Sequence, residues 1–279
     1  MLQIGAHVSI SDGFDEAVSH QVELGGTVGQ VFVGSPRGWK VREISEEDSS
    51  GFRQASNESD MGPWIVHGTY LINLATPKDD LGKRSVETVQ AELDACAELG
   101  IPYYVFHPGA HTGAGTETGV ANVAERLSKL TIPDETTLLL ENTAGKGTTV
   151  GTTFTELDEM VDQSAHEYDD IGVCLDSCHL FSAGYDFRTE ETMDELIDQV
   201  DSIIGLENIH YLHLNDSKHP FDSNKDEHEH IGEGEIGEDG FSNFINHPEF
   251  RGLPMVLETP EDDKGYAWNI TKIKTLYNQ

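Results

Sequence analysis

The chain predicts a (β/α)8 barrel, and three observations carry that prediction. Eight short apolar runs recur along 279 residues. Segments with helical spacing separate them. The length suits a single barrel of this kind, which takes about 250 residues. The runs fall at 2–8, 28–33, 64–67, 103–107, 137–141, 171–176, 209–214 and 255–258. Each is brief and mostly rich in β-branched, aromatic or leucine side chains, as a strand buried on both faces should be. Helices are predicted over roughly 14–24, 45–57, 83–99, 117–130, 154–166, 190–204, 238–246 and 263–276. The clearest is 83–99, where Val86, Val89, Leu93, Cys96 and Ala97 return at intervals of three and four. Gly100 and Pro102 then give a stop signal. A doubly wound open sheet is the structural alternative, but no Gly-x-Gly-x-x-Gly fingerprint follows any run. No low-complexity linker or composition break divides the chain, so one domain over 1–279 is expected.

The charge is unusual. Acidic residues number 51 and basic ones 17, for a formal charge of −34. The acids are spread through nearly every predicted helix rather than gathered in a tail. Such a surface repels nucleic acids and anionic membranes. It is tolerable in concentrated salt, where the Debye length falls to about 3 Å at 1 M. A halophilic source is therefore the expectation, an acidic mesophilic protein the blander one. No run of 18 apolar residues is present, so a membrane span is not expected. The opening Met1-Leu2-Gln3-Ile4-Gly5-Ala6-His7 lacks the regions of a signal peptide. Three cysteines, Cys96, Cys174 and Cys178, are too few for a disulfide framework. Both facts point to a reducing, cytoplasmic setting.

Thirteen histidines stand out, and their placement matters more than their number. The third run ends in His67, the fourth in His107, the fifth in Glu141, the sixth in Asp176 and the eighth in Glu258; the seventh carries His213 near its end. The C-terminal ends of barrel strands are where barrel active sites are built. A carboxylate directly after Leu138-Leu139-Leu140 or Val173-Cys174-Leu175 is costly to bury unpaired. Six such groups meeting at one mouth repel unless cations neutralise them. The mixture of imidazole and carboxylate favours zinc or a similar first-row ion over magnesium, with manganese or iron(II) as competitors. His179 follows Asp176 by three residues, and Asp226 and His228 share one face of an extended segment, so these three form a further candidate site. His230 has the same parity as His228 and is the alternative there. His7 and His111 lie at the same mouth as supporting or substrate contacts. Cys178 reads as a small buried hydrophobe.

The motifs Gly5-Ala6-His7-Val8-Ser9, His67-Gly68-Thr69-Tyr70-Leu71-Ile72-Asn73-Leu74, His107-Pro108-Gly109-Ala110-His111, Leu140-Glu141-Asn142-Thr143-Ala144-Gly145, Cys174-Leu175-Asp176-Ser177-Cys178-His179, His213-Leu214-Asn215-Asp216-Ser217-Lys218 and His230-Ile231-Gly232-Glu233-Gly234 together resemble the endonuclease IV family. These are apurinic/apyrimidinic-site DNA repair nucleases with a TIM-barrel fold and three zinc ions. The likeness is collinear from about residue 2 to 260. It implies one zinc held by His67 and His107, with Glu141 bridging to the next. It implies a second held by Glu141, Asp176, His213 and Glu258, and a third by His179, Asp226 and His228. Glu141 is then the catalytic carboxylate. Arg37 and Tyr70 match side chains that enter the base stack of the damaged duplex. The chain departs at Glu227, where the family commonly has an arginine, which puts a phosphate contact in doubt.

The resemblance also implies cleavage 5′ to an abasic site, leaving a 3′ hydroxyl and a 5′ deoxyribose phosphate. No Ser-His-Asp arrangement competes as nucleophile. Ten basic residues fall in segments after strands: Arg37, Lys40, Arg42, Lys78, Lys83, Arg84, Lys146, Lys218, Lys225 and Lys264. If those segments ring the mouth, the scarce positive charge sits where phosphates bind. A sugar isomerase or epimerase of the same barrel type is the rival expectation, and a non-catalytic metal- or DNA-binding protein the third. The damaged duplex is the expected partner of a monomer that needs no protein partner.

Overall fold

The computed structural model describes residues 2–262 and 264–277. Its elements run β1 (Gln3–His7), α1 (Phe14–Glu23), β2 (Val28–Val31), α2 (Glu46–Glu58), β3 (Trp64–His67), α3 (Asp79–Leu99), β4 (Tyr103–Phe106), α4 (Thr116–Leu127), β5 (Thr137–Glu141), α5 (Phe154–Asp162), β6 (Ile171–Asp176), α6 (Ser177–Ser182), α7 (Glu190–Ile203), β7 (Ile209–His213), β8 (Asp216–Ser217), β9 (His228–Glu229), α8 (Gly237–Asn246), β10 (Pro254–Leu257) and α9 (Gly265–Leu276). Eight of the strands close a barrel in the order β1-β10-β7-β6-β5-β4-β3-β2, every pair parallel. The (β/α)8 TIM barrel is thus the fold that the eight apolar runs predicted. No described helix is long and apolar enough to cross a membrane.

Differences from the expected elements are local. Helix α3 starts at Asp79, four residues before the predicted start, because Asp79 and Asp80 place carboxylates in its first turn, where the helix dipole favours them. It stops at Gly100, whose φ of 73° is the left-handed cap geometry that glycine adopts without strain. The predicted start of the last helix, at 263, lies outside the described residues. Two features were not anticipated. The first is α6, whose N-cap Asp176 accepts from His179 N at 2.8 Å. The second is the antiparallel pair β8–β9, in which Ser217 faces His228.

Two apolar layers hold the barrel. The outer one lies between strands and helices and includes Val66, Tyr104, Phe106, Leu138, Leu140, Val173, Leu175 and Leu257. The inner plug is Ile65, Val105, Leu139, Cys174, Tyr211 and Val256, all fully buried. Strand side chains alternate faces, so the residue two further on also points inward. Those residues are His67, His107, Glu141, Asp176, His213 and Glu258. The donor layer is therefore the next tier of the same stack, directly above the plug. Leu139→Ala should hollow that plug and cost about 2–5 kcal/mol of unfolding free energy. Urea melts of the two proteins measure it, and a loss under 1 kcal/mol would contradict the packing described.

Candidate metal centre

Glu141 lies at the middle of the mouth and is fully buried. Its Oε2 is 3.3 Å from His67 Nε2 and 3.1 Å from His107 Nε2. Its Oε1 is 3.1 Å from His213 Nδ1 and 3.4 Å from His179 Nδ1. His213 Nδ1 is also 3.8 Å from Glu258 Oε2. On the outer side, Asp226 Oδ1 is 3.2 Å from His179 Nε2 and 3.4 Å from His228 Nε2. Donor atoms lie within 4.8 Å of one another in each of the groups His67-His107-Glu141, Glu141-Asp176-His213-Glu258 and His179-Asp226-His228. The nine residues expected at the mouth are thus together. A fourth grouping, Asp176-Cys178-His228, was not expected. Cys178 is fully buried, and burial pushes its thiol up to about 12, which disfavours the thiolate a metal needs.

The donors have the chemistry and spacing of cation ligands. Around a tetrahedral zinc with bonds near 2.0–2.2 Å, neighbouring donors sit roughly 3.3–3.5 Å apart. Glu141 Oε2 and His228 Nε2 are buried and make no hydrogen bond, although nitrogens or oxygens of the same groups stand 3.1–3.4 Å away. A buried polar atom left without a partner is costly. A shared cation removes that cost at each of these atoms. The rings are also held in one orientation by their other nitrogen. His67 Nδ1 donates to the Gly68 carbonyl at 2.7 Å, His179 Nδ1 to that of Asn142 at 2.9 Å and His228 Nδ1 to that of Glu258 at 3.0 Å. Each then turns Nε2 toward its cluster, the arrangement typical of metal-binding histidines.

The electrostatics match. Burial alone would lower the His67 pKa and raise the Glu141 one, yet both move the other way. Hydrogen bonding and charge from Glu141, with charge from Glu258, raise His67. Positive charge on His107 and His213 holds Glu141 well below the usual carboxylate range. His213 and His179 are likewise raised against burial, His213 by the Cys174 thiol beside it and the charges of Glu141 and Glu258, and His179 by Asp176 and Asp226. His228, half-buried, is raised to about 9 by its bond to Asp226. Asp226 and Glu258 are depressed against burial by the imidazoles beside them.

Supporting side chains complete the shell. Asn215 donates to Asp176 Oδ2 at 2.6 Å and accepts from Glu258 N at 2.8 Å. Asn142 Oδ1 accepts from Asp176 N at 2.7 Å. His7 lies 3.9 Å from Glu258, and burial lowers its pKa. His230 turns away from the outer triad. Its Nε2 is 2.8 Å from Asp262 and its Nδ1 2.9 Å from Asn269, so the alternative of His230 replacing His228 does not hold. His111 Nδ1 accepts from Gly113 N and Gly115 N and shapes its own loop. Sequence reasoning missed Asn142, Asn215 and Gln30. For Gln30 the signal was a lone amide inside the apolar run 28–33.

The Pro36 carbonyl accepts from Thr69 Oγ1 at 2.9 Å and Tyr70 N at 3.1 Å, which ties the loop carrying Arg37 to the one carrying Tyr70. Tyr70 is 58% exposed, an uncommon state for a large aromatic ring, and its ring stands 5.8 Å from that of His67. Arg37 is exposed beside it. A cavity of about 460 Å³ opens here between Trp39, Tyr70 and Leu71 on one wall and His107, Lys146 and Asp226 on the other. The basic rim is partly neutralised from within. Arg42 pairs with Asp48 at 2.6 Å, Lys264 with Glu233, and Arg84 stacks on Trp39. Glu227 faces His219 Nε2 at 3.3 Å.

A family model described as a xylose isomerase-like TIM barrel matches residues 19–276. A protein of Natronomonas pharaonis named probable endonuclease 4 is 49% identical over 280 residues, covering 100% of both chains. A protein of the same name from Halobacterium salinarum is 47% identical over 99% of both. The crystal structure of endonuclease IV from Thermus thermophilus is similar with a TM-score of 0.86 and 32% identity, over 98% of each chain.

Proposed function

The chain belongs to the endonuclease 4 family, and from that premise we propose that it is a DNA repair nuclease that hydrolyses the phosphodiester bond 5′ to abasic sites in duplex DNA, leaving a 3′ hydroxyl and a 5′ deoxyribose phosphate. The observation that carries this reading is the Glu141 carboxylate, fully buried with imidazoles of His67, His107, His179 and His213 around its two oxygens. We assign His67 and His107 with Glu141 to one zinc, Glu141, Asp176, His213 and Glu258 to a second, and His179, Asp226 and His228 to a third. Bound there, the ions supply Lewis-acid neutralisation of the phosphate and water activated near neutral pH.

The chain's own residues do the rest. Glu141 fixes the spacing of the first two sites because one rigid carboxylate serves both. Asn215 and Asn142 hold Asp176, so the donors are ordered before substrate arrives. Tyr70 and Arg37 enter the gap left by the missing base, and Lys146 and Lys40 take neighbouring phosphates. The third triad and the exposed aromatic at the mouth favour a polymeric phosphodiester over the small polyol of an epimerase. The acidic surface and the relatives from Natronomonas pharaonis and Halobacterium salinarum support a high-salt setting, where an active monomer keeps its charge screened.

Incubation with a duplex carrying one abasic site tests the reading. A chelator-sensitive nick 5′ to the lesion is expected, restored by zinc; uncut abasic duplex with fully zinc-loaded protein would overturn it. Tyr70→Ala should raise KM for the abasic duplex about 5- to 100-fold, since one aromatic–base stack is worth about 1–3 kcal/mol. Tyr70→Phe should stay near wild type. Equal KM values for all three proteins would remove Tyr70 from the substrate interface.

A further inference from the structure

One buried side chain at the mouth has no task in the reading above. Gln30 on β2 is fully buried in a run otherwise made of Val28, Gly29, Val31, Phe32 and Val33. Its amide is used at both ends. Nε2 lies 2.6 Å from Glu258 Oε1 and 2.8 Å from His7 Nδ1, while Oε1 lies 2.8 Å from His213 Nε2. The two ends are not interchangeable. A carboxylate only accepts, so the amide nitrogen must face Glu258. The amide oxygen then faces His213, and Nε2 of that ring must carry the hydrogen. The free lone pair of the neutral ring is thereby left on Nδ1, the atom 3.1 Å from Glu141 and 3.8 Å from Glu258.

We propose that Gln30 is a positioning residue that sets the His213 tautomer and the Glu258 carboxylate together for the cation of the Glu141-Asp176-His213-Glu258 cluster. This rests on the reading that the cluster holds a cation. One amide does for His213 what backbone carbonyls do for His67, His179 and His228. Those carbonyls survive any side-chain substitution, whereas the acceptor at His213 does not. It also couples two ligands of one ion, so its loss frees both at once.

The test titrates metal-free wild type, Gln30→Met and Gln30→Glu with zinc alone against a competing chelator. It also records nitrogen–proton spectra of the histidine side chains in the zinc-loaded proteins. In wild type a slowly exchanging Nε2–H signal from His213 is expected. Gln30→Met keeps the length but no hydrogen bond. It should weaken one bound zinc about 10- to 100-fold, leave the others unchanged and lose the protected signal. Gln30→Glu keeps an acceptor for His213 but turns a second carboxylate oxygen toward Glu258, so it should keep the signal while binding that zinc less tightly than wild type. Unchanged zinc affinity and an unchanged His213 signal in Gln30→Met overturn the proposal. If Gln30→Met does not fold, loss of the signal in Gln30→Glu overturns it. A wild-type chain that takes up no zinc overturns the metal assignment itself, which separates the two failures.

Discussion

Glu141→Gln is expected to slow cleavage of abasic duplex by roughly 10³-fold at saturating zinc. The shapes are the same, so the fold should survive and the loss should fall on chemistry. A carboxylate offers an acceptor oxygen to each side: Oε2 to His67 and His107, Oε1 to His213 and His179. An amide offers one oxygen and turns an NH2 toward the other pair, so it cannot serve two cations. Losing a cation's share of phosphate neutralisation costs several kcal/mol, and about 4 kcal/mol is the factor stated. Single-turnover rates of the two proteins, with zinc content measured alongside, decide the matter. A variant within threefold of wild type would remove Glu141 from the reaction.

Zinc should also be the main stabiliser of the mouth. A ligand that binds only the folded chain adds about 2.7 kcal/mol per site at a hundredfold excess over Kd, hence roughly 8 kcal/mol for three sites. For a chain of this size that is a rise in Tm on the order of 15 °C. The sign of the pH dependence follows from the shifts. His67, His179, His213 and His228 have raised pKa values in the metal-free fold. Their stabilising contribution is complete below about 6.5 and is lost as pH rises through the raised values, which for His228 means about 9. Glu141, Asp226 and Glu258 are depressed, so theirs is present above about 4 and is lost as pH falls through the depressed values. The metal-free chain should therefore be most stable between about pH 4.5 and 6.5. Zinc must displace imidazole protons, so its apparent affinity should rise with pH toward 9. Calorimetry at pH 7 in two buffers of different ionisation heat should detect released protons. Binding without proton release would contradict the charge arrangement described.

Much of this architecture was legible before any coordinates. Period-two alternation within each run already put His67, Glu141 and His213 on the face of Ile65, Leu139 and Tyr211. Once the runs are taken as barrel strands, that parity brings the donors together. The parity of Asp226 and His228 likewise placed them side by side, but it could not choose between His228 and His230. That choice came from Asp262 and Asn269, which are distant in sequence and hold His230 elsewhere. Gln30, Asn142 and Asn215 received no role because an amide has no spacing rule; its partners are set by tertiary contact alone. The partial neutralisation of the basic rim was hidden for the same reason, since Asp48 and Glu233 meet Arg42 and Lys264 only in the folded chain.

Stacking the donor tier on the plug has a consequence for how this molecule can change. A substitution within a strand changes one side chain and leaves the inward or outward sense of the others in place. Deleting a single residue between Ile65 and His67, or between Leu139 and Glu141, inverts the parity beyond it and swings the donor out among the helices. Replacement thus keeps the alternation intact, whereas a change of length within a strand does not. Variation in length is confined to the connections at the rim that carry no donor, such as 33–44, where the surface offered to a substrate can change without moving the donor tier.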